Sequence, residues 1–164
     1  MTRYAQFATP LGTVLATAVD GALTSVDFID AKYAKPILAG WTEDADYPPL
    51  KECAQQLGEY FAGRRNRFDL PIAPEGTAFQ KRVWREIARV PFGATIAYAE
   101  LAKRAGAPGC ARAAGAATGR NPIAVIVPCH RIVGARGSLT GYAGGLERKQ
   151  RLLELEGVLQ PALI

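Results

Sequence analysis

The chain has 164 residues, of which 49% are apolar and 21% charged, and this composition excludes a repeat array, a fibrous protein and a disordered chain. The net charge of +5 divides unevenly, because residues 1–75 sum to −3 and residues 76–164 to +8. This asymmetry indicates that only the second half meets a polyanion, with nucleic acid as the leading candidate and an unpartnered basic surface as the alternative.

Cysteine and histidine are scarce. Cys53, Cys110 and Cys129 are an odd number of thiols in a chain long enough to fold without disulfides, so we expect reduced thiols. With His130 as the sole histidine and no Cys-x-x-Cys pair, the sequence lacks the ligands of a structural zinc site, and we predict no metal and no cofactor. No stretch resembles a membrane span or a signal peptide, so we expect a cytoplasmic protein.

The chain begins with a β pattern. Apolar residues alternate over residues 3–29, and Asp20-Gly21 between two apolar runs predicts a hairpin turn. Residues 50–62 then show the apolar spacing of a helix, which places Cys53 on the packed face.

A stretch rich in arginine and proline follows this helix, over residues 64–76, and it predicts a link. We therefore divide the chain into a structural domain, residues 1–75, and a functional domain, residues 76–164. The second domain opens with a helix, because Thr77 and Gln80 have the spacing of a capping box.

Two short helices across a tight turn are predicted next, over residues 98–105 and 109–118, and they suggest a helix-turn-helix. The second helix consists almost entirely of small residues, with Arg112 as its one long side chain. Such a face suits either close contact with another surface or close packing between helices in a core.

The remaining elements are a short strand and a last helix. The apolar run 123–127 predicts a buried strand, because it is too short for a helix. Residues 146–156 predict a helix capped by Gly157, whose inward residues are Leu152, Leu153 and Leu155.

Cys129 lies two residues after the predicted strand and has the chain's one histidine beside it. A reactive thiol needs a base and a positive local field, and His130 with the neighbouring arginines offers both. Adjacent side chains on an extended segment point apart, so His130 reaches the sulfur only through a turn or a bridging water. Glu156 is the acid that we expect to orient the imidazole. An inert buried thiol is the alternative for Cys129.

Two stretches of the second half carry a specific resemblance. Residues 121–134 contain Asn-Pro-Ile and then Pro-Cys-His-Arg-Ile-Val-Gly, and residues 141–146 are Gly-Tyr-Ala-Gly-Gly-Leu. In this combination the chain closely resembles the O6-alkylguanine-DNA alkyltransferases, also called methylated-DNA–protein-cysteine methyltransferases, in their stand-alone form. The resemblance is strong over residues 79–157, and the first half fits in length and in its order of strands before a helix.

The resemblance implies an α+β protein, with an RNase H-like domain of sheet and helix followed by a mainly helical domain with a helix-turn-helix. It implies DNA repair, in which an O6-alkylguanine is flipped out of the duplex and its alkyl group moves irreversibly to Cys129, once per molecule. The implied partner is double-stranded DNA, bound by a monomer through the minor groove. Repair of O4-alkylthymine and cooperative binding on DNA stay open.

The functional residues of the family fall on matching positions of this sequence. Cys129 corresponds to the alkyl acceptor, His130 to the water-mediated base and Glu156 to the carboxylate behind it. Asn121 corresponds to the asparagine that fixes the turn of the active site. Tyr98 corresponds to the residue that crowds the DNA backbone and protonates the guanine leaving group.

The implied DNA and base contacts lie on the helix-turn-helix and on a lid. Arg112 matches the arginine finger that fills the space left by the flipped base. The further contacts are expected from Ala113, Gly115, Tyr142, Ala143 and Ile132. A serine often stands in the family where this chain has Ala143, so only a backbone contact is possible there.

Three other functions are alternatives to repair. A non-catalytic helix-turn-helix sensor of DNA lesions is the first, and its relatives lack the cysteine. A regulator that reads the major groove is the second, although polar side chains are scarce between residues 109 and 118. A hydrolase that uses Cys129 and His130 is the third, and it would turn over repeatedly.

Overall fold

A four-stranded sheet dominates the first part of the chain in the computed structural model, which describes residues 1–160. Its strands are β1 (Arg3–Thr9), β2 (Gly12–Val19), β3 (Ala22–Phe28) and β4 (Thr42–Glu43). They lie in the order β3-β2-β1-β4, with β4 parallel to β1 and the other neighbours antiparallel. The sequence did not predict the short β4, since two residues are too few to show a period.

The turn between β2 and β3 is the predicted hairpin. Asp20 and Gly21 have φ angles of 50° and 83°, so both lie in the left-handed region. Two consecutive positive φ values are typical of a type I′ turn, and Asp-Gly is among its preferred pairs because both residues tolerate that conformation. The local sequence therefore fixes the pairing of these two strands.

Helix α1 (Pro48–Phe61) packs on this sheet. Its buried face includes Leu50, Cys53 and Leu57, which confirms the predicted helical spacing and the packed position of Cys53. Burial of these side chains against β1, β2 and β3 removes apolar area from water, and each fully buried leucine contributes about 2 kcal/mol.

The second part of the chain is mainly helical. Its helices are α2 (Ala78–Ala88), α3 (Tyr98–Arg104), α4 (Ala111–Gly119) and α5 (Leu146–Leu155). Thr77 and Gln80 form the predicted capping box at the start of α2, each side chain bonding the other's backbone N–H.

Helices α2, α3 and α4 pack on one another around a common core. Trp84 of α2 is buried there, and its indole N–H donates to the carbonyl of Ala117 in α4 at 2.8 Å. Six residues separate α3 from α4, and Gly106 in this turn has a φ of 80°. The architecture thus confirms the α+β class, with a sheet-and-helix part followed by a helical part.

Two short strands accompany these helices. β5 (Ile96–Ala97) and β6 (Ile132–Val133) form a parallel pair, with Ile96 opposite Ile132 and Ala97 opposite Val133. β5 leads directly into Tyr98, the first residue of α3, and β6 follows Cys129 by three residues. Two of the predicted site residues thus flank this pair, because Tyr98 follows one strand and Cys129 precedes the other.

The chain folds as two units. One consists of Met1–Glu75 with Pro122–Ala124, and the other of Gly76–Asn121 and the chain from Val125 onward. Pro122–Ala124 belongs with the first because Val26 donates to the carbonyl of Pro122 and accepts from Ala124, both at 2.8 Å. The domains 1–75 and 76–164 as independent entities stay a prediction.

The predicted strand over residues 123–127 is wrong. Ile123 forms one isolated bridge with Val26, and residues 124–126 form a turn in which Val125 has a φ of 68°. The run is apolar because its side chains are buried, but burial alone does not distinguish a strand from a buried turn. The carbonyl of Val127, at the end of the run, accepts a hydrogen bond from the side chain of Asn121 and not from a neighbouring strand.

The last helix, α5, differs from its prediction in two residues. Leu152 and Leu153 are fully buried as predicted, but Leu155 is 37% exposed, so its predicted inward position is wrong. Lys149 occupies the buried face instead. None of the helices within residues 1–160 is long and apolar enough to cross a membrane.

Candidate active site

Cys129 begins a single 3₁₀ turn, Cys129–Arg131, between the buried turn 124–126 and β6. The turn is closed by the N–H of Arg131, which donates to the carbonyl of Pro128 at 2.9 Å. The thiol is 7% exposed. Because the segment is a turn rather than a strand, adjacent side chains are not forced to opposite sides, which removes the geometric objection to a link between Cys129 and His130.

His130 is fully buried and bound to Glu156. Its Nε2 lies 2.7 Å from Oε2 of Glu156, and since a carboxylate only accepts, Nε2 is the donor. Nδ1 is then the basic nitrogen of the neutral ring, and it has no hydrogen-bond partner among residues 1–160. The structure thus places Glu156 where it holds the imidazole in one tautomer.

Arg131 fixes the same carboxylate from a second direction. Its Nε donates to Oε1 of Glu156 at 2.7 Å and its second terminal nitrogen to Oε2 at 2.9 Å. Nη1 donates to the carbonyl of Val90 at 2.8 Å. This two-point ion pair is buried, so both charges are satisfied without water and the carboxylate has little freedom to move.

The environment keeps the imidazole neutral. Burial lowers the pKa of His130 below its usual 6.5, the hydrogen bond and charge of Glu156 oppose this, and the charges of Arg131 and Lys149 add to the lowering. A neutral histidine with a bare Nδ1 can accept a proton near neutral pH.

Lys149 brings a buried ammonium to the site. Its side chain is fully buried in α5, and Nζ donates to the carbonyls of Ile132, Thr140 and Gly141 at 2.6, 2.9 and 3.1 Å. Burial lowers the pKa of Lys149 to about 8, and the charge of Cys129 acts in the opposite direction. The lysine therefore ties β6 to the following loop and places positive charge near the thiol.

Tyr98 lies on the other side of this loop. Its hydroxyl donates to the carbonyl of Thr140 at 3.0 Å, and Nζ of Lys149 lies 5.7 Å from its ring centre. Burial raises the pKa of Tyr98, the charge of Cys129 raises it further, and the bond to Thr140 opposes both. The phenol therefore keeps its proton and is available as a donor.

Asn121 closes the turn that precedes the cysteine. Its side-chain amide donates to the carbonyl of Val127 at 2.8 Å, two residues before Cys129. This bond spans the turn 124–126 and holds its two ends together. The predicted position of Asn121 at the base of the active-site turn agrees with this contact, while its effect on chemistry stays a prediction.

Helix α4 presents a smooth, exposed face. Arg112, Ala113 and Ala116 are exposed, whereas Ala114, Ala117 and Thr118 are buried, so the small residues serve both a core and a surface. Arg112 forms no ion pair or hydrogen bond within residues 1–160. Gly115 faces the ring of Tyr98, since a Cβ there would lie 3.6 Å from Cδ1.

The predicted base-binding residues lie in different surroundings. Tyr142 and Ala143 are partly exposed in the loop between Gly141 and α5. Ile132 is fully buried in β6, and its carbonyl accepts from Lys149. The structure therefore brings Ile132 to the site through its backbone, and the substrate contacts of all three residues stay predictions.

The two other cysteines lie outside this cluster. Burial raises the pKa of Cys53 to about 12, so that thiol stays protonated and unreactive. Cys110 is exposed before α4. No group of three or more His, Cys, Asp or Glu in residues 1–160 is arranged to hold a metal ion.

Sequence reasoning missed Lys149 as a member of the site, and it used Arg131 only as a positive charge near the thiol. A usable signal existed for Lys149, which precedes the inward Leu152 and Leu153 by three and four residues and so belongs to the buried face of α5. A lysine on such a face needs acceptors, which in this chain are the carbonyls of a loop. Nothing in the sequence signals that Arg131 meets Glu156, 25 residues away.

Two family models match most of the chain. Residues 2–74 match the ribonuclease-like domain of 6-O-methylguanine DNA methyltransferase, and residues 78–158 match its DNA binding domain. The chain belongs to this methyltransferase family. Its N-terminal and C-terminal parts thus have the two domain types that the resemblance implied, and DNA is the partner of the second.

Relatives of this methyltransferase family are similar over nearly the whole chain. A methylated-DNA–protein-cysteine methyltransferase of Mycolicibacterium paratuberculosis is 46% identical over 162 residues, covering 99% of this chain and 96% of the relative. One from Methanosarcina acetivorans is 46% identical over 154 residues, covering 94% and 97%.

Solved structures of the family share the fold. The crystal structure of the Mycobacterium tuberculosis O6-methylguanine methyltransferase has a TM-score of 0.88 and 43% identity, covering 99% of this chain and 96% of the other. A structure of the M. tuberculosis protein in complex with DNA has a TM-score of 0.85 and 42% identity, covering 94% and 92%.

Proposed function

We propose that this chain repairs DNA by moving the alkyl group of an O6-alkylguanine to Cys129 in a single irreversible turnover. The observation that carries the proposal is the buried His130–Glu156–Arg131 network next to Cys129, in which Nδ1 of the imidazole is the one ring nitrogen without a protein partner in the described chain. Cytoplasmic location and a monomeric state in solution stay predictions that accompany this function.

The proton of the thiol leaves toward His130. A water molecule that donates to Nδ1 of His130 and accepts from the thiol of Cys129 would carry it, because Nδ1 is neutral and basic. Glu156 stabilises the imidazolium that forms, and Arg131 keeps that carboxylate in place. The ammonium of Lys149 favours the thiolate by its charge.

Transfer itself exchanges one bond for another. The thiolate sulfur of Cys129 attacks the alkyl carbon, a C–S bond forms, and the electron pair of the breaking C–O bond stays with the guanine. Tyr98 is suited to protonate that leaving group, since its raised pKa keeps the phenol protonated. The product is a thioether, which no side chain of the site hydrolyses, so each molecule acts once.

The DNA side of the proposal rests on α4. A helix that enters the minor groove needs small side chains, which Ala113 and Ala116 provide on its exposed face. Extruding a base costs a few kcal/mol, and the side chain of Arg112 can offset part of this by filling the gap. Tyr142 and Ala143 would then cover the extruded base, the latter through its backbone.

Mass spectrometry of the intact protein tests this function. After the chain is mixed with a duplex containing one O6-methylguanine, we expect the mass of one added methyl group per protein, on the peptide that contains Cys129. Cys129→Ala should gain no mass, while Cys110→Ala and Cys53→Ala serve as controls that gain as much as the wild type.

Other outcomes distinguish the alternatives. An unchanged mass with lesion-selective binding would mean a non-catalytic sensor, and an unchanged mass without lesion preference would mean a regulator or no DNA role. Repeated turnover on an ester or amide, without a stable adduct, would mean a hydrolase. A methyl group on Cys110 would place the acceptor at the start of α4.

A further inference from the structure

The loop after β6 contains a turn of unusual composition. Arg136 and Gly137 have φ angles of 59° and 76°, and the N–H of Ser138 donates to the carbonyl of Ala135 at 3.3 Å. Two consecutive left-handed residues are typical of a type I′ turn. Arginine is a poor residue for the first of these positions, because its Cβ crowds the backbone there at a cost of about 1–2 kcal/mol.

The hairpin between β2 and β3 is an internal comparison. Its two left-handed residues are Asp20 and Gly21, a preferred pair for this turn. The same chain thus uses a favourable residue where the turn only joins two strands, and an unfavourable one at position 136. A strained residue that persists in an exposed turn points to a use for its side chain.

Packing does not account for Arg136. Its side chain is exposed, and within residues 1–160 it forms no ion pair, hydrogen bond or ring contact. Because the guanidinium makes none of these contacts, no bond of the side chain holds residue 136 in the left-handed conformation. The explanation left for an arginine in this turn is the position at which the turn holds its positive charge.

The turn is rigidly attached to the active site. Gly134 donates to the carbonyl of Ser138 at 2.8 Å, and a Cβ at position 134 would collide with the hydroxyl of Ser138, so the loop closes tightly on itself. Two residues further on, the carbonyl of Thr140 accepts from both Tyr98 and Lys149. The guanidinium is therefore presented from a loop fixed on one side by β6 and on the other by Tyr98.

We propose that Arg136 binds a backbone phosphate of the DNA strand whose nucleotide enters the site. This inference rests on the proposed function, because it needs DNA at the mouth beside Tyr98. A guanidinium matches phosphate with two parallel N–H donors, and the second half of the chain, at +8, already favours a polyanion. The cost of the strained turn is then offset only in the DNA complex.

Arg136→Asn separates the effect of the strained backbone on stability from the effect of the positive charge on DNA binding. Asparagine is favoured in the turn and has no charge, so thermal unfolding should shift to higher temperature while affinity for undamaged duplex falls about 5- to 10-fold at low salt. The slope of log affinity against log salt should decrease by about one. Repair of a methylated duplex at subsaturating DNA should slow more than reaction with free O6-alkylguanine base.

Three control variants make the result specific. Arg136→Lys keeps the charge and should retain most of the affinity. Lys51→Gln removes one positive charge from an exposed position of α1 and should leave the salt slope nearly unchanged. Asp20→Asn alters the comparison turn and should leave DNA affinity within about two-fold of the wild type.

Several results would overturn the inference. An unchanged salt slope in Arg136→Asn, or an equal decrease in Lys51→Gln, would mean that no local phosphate contact exists. Equal losses on duplex and free base would make the turn a structural part of the site. If the wild type accepts no alkyl group from either substrate, the proposed function fails, whereas transfer by the wild type with an unchanged slope in Arg136→Asn rejects this inference alone.

Discussion

The charged side chains buried around Cys129 are partnered in two different ways. Glu156 accepts from His130 and from Arg131, so its charge is balanced by a formal ion pair. Lys149 has three carbonyl partners and no carboxylate among its contacts within residues 1–160, although the charge of Cys129 raises its pKa. When Cys129 loses its proton, the charge of the thiolate therefore opposes the positive charge of this lysine.

Replacing Lys149 by methionine tests that balance. Lys149→Met keeps most of the volume but removes the charge and the three hydrogen bonds, so alkyl transfer to Cys129 at pH 7 should slow about 10-fold or more. In the wild type, deprotonation of Lys149 above pH 8 should reduce the benefit of the rising thiolate fraction. The measurement is the transfer rate against pH, and equal profiles for the two proteins would contradict the role.

The same substitution has a signature in stability. The folded pKa of Lys149 is about 8, below that of an unfolded lysine near 10.4, so between these values the unfolded chain binds more protons. The free energy of unfolding should therefore rise with pH in that window, by up to about 3 kcal/mol. Urea unfolding at both ends of the window should show this rise in the wild type and in Lys81→Met, but not in Lys149→Met.

At the scale of elements, α4 combines a buried and an exposed face of alanine. The sequence left close packing and close contact with a partner as alternatives, and the structure shows that the packed face is real, with Ala114 and Ala117 in the core. The exposed face with Arg112 remains accessible, and contact of this face with DNA stays a prediction. Both uses are compatible because alanine favours the helix and is small on either side.

Arg112→Ala should separate base flipping from chemistry. We expect repair in a duplex to slow about 10- to 100-fold, since extrusion of the base loses its compensation, while reaction with a free O6-alkylguanine base changes little. Single-turnover rates on the two substrates measure this. Arg89→Ala, at the exposed end of α2, is the matched control, and similar losses on both substrates in Arg112→Ala would count against the finger role.

The segment that leads to the cysteine shows where element prediction stops. Its five apolar residues, 123–127, fit a strand and a buried turn equally well, because either structure would bury their side chains. The positive φ of Val125 and the hydrogen bond from Asn121 to Val127 show that the segment is a turn. Neither a left-handed valine nor a bond of that span is visible in a hydrophobic pattern.

For the whole molecule, the uneven charge leads to a prediction about salt. If the second half, at +8, neutralises about six phosphates, affinity for duplex DNA should fall about 1,000-fold between about 50 and 200 mM salt, because counterions are released. Equilibrium binding at several salt concentrations measures the slope. Reaction with the uncharged free base is the control, and a flat binding curve would refute the electrostatic argument.

The α+β class, the hairpin at Asp20, the capped start of α2 and the family follow from the amino-acid sequence alone, because turn residues, caps and motifs act locally or are read directly. The folded structure was needed to show how Glu156 and Arg131 hold His130, and which loop carbonyls accept from the buried Lys149. These contacts join residues 8 to 26 positions apart. Their partners are chosen by the folding of several elements together, which no local pattern contains.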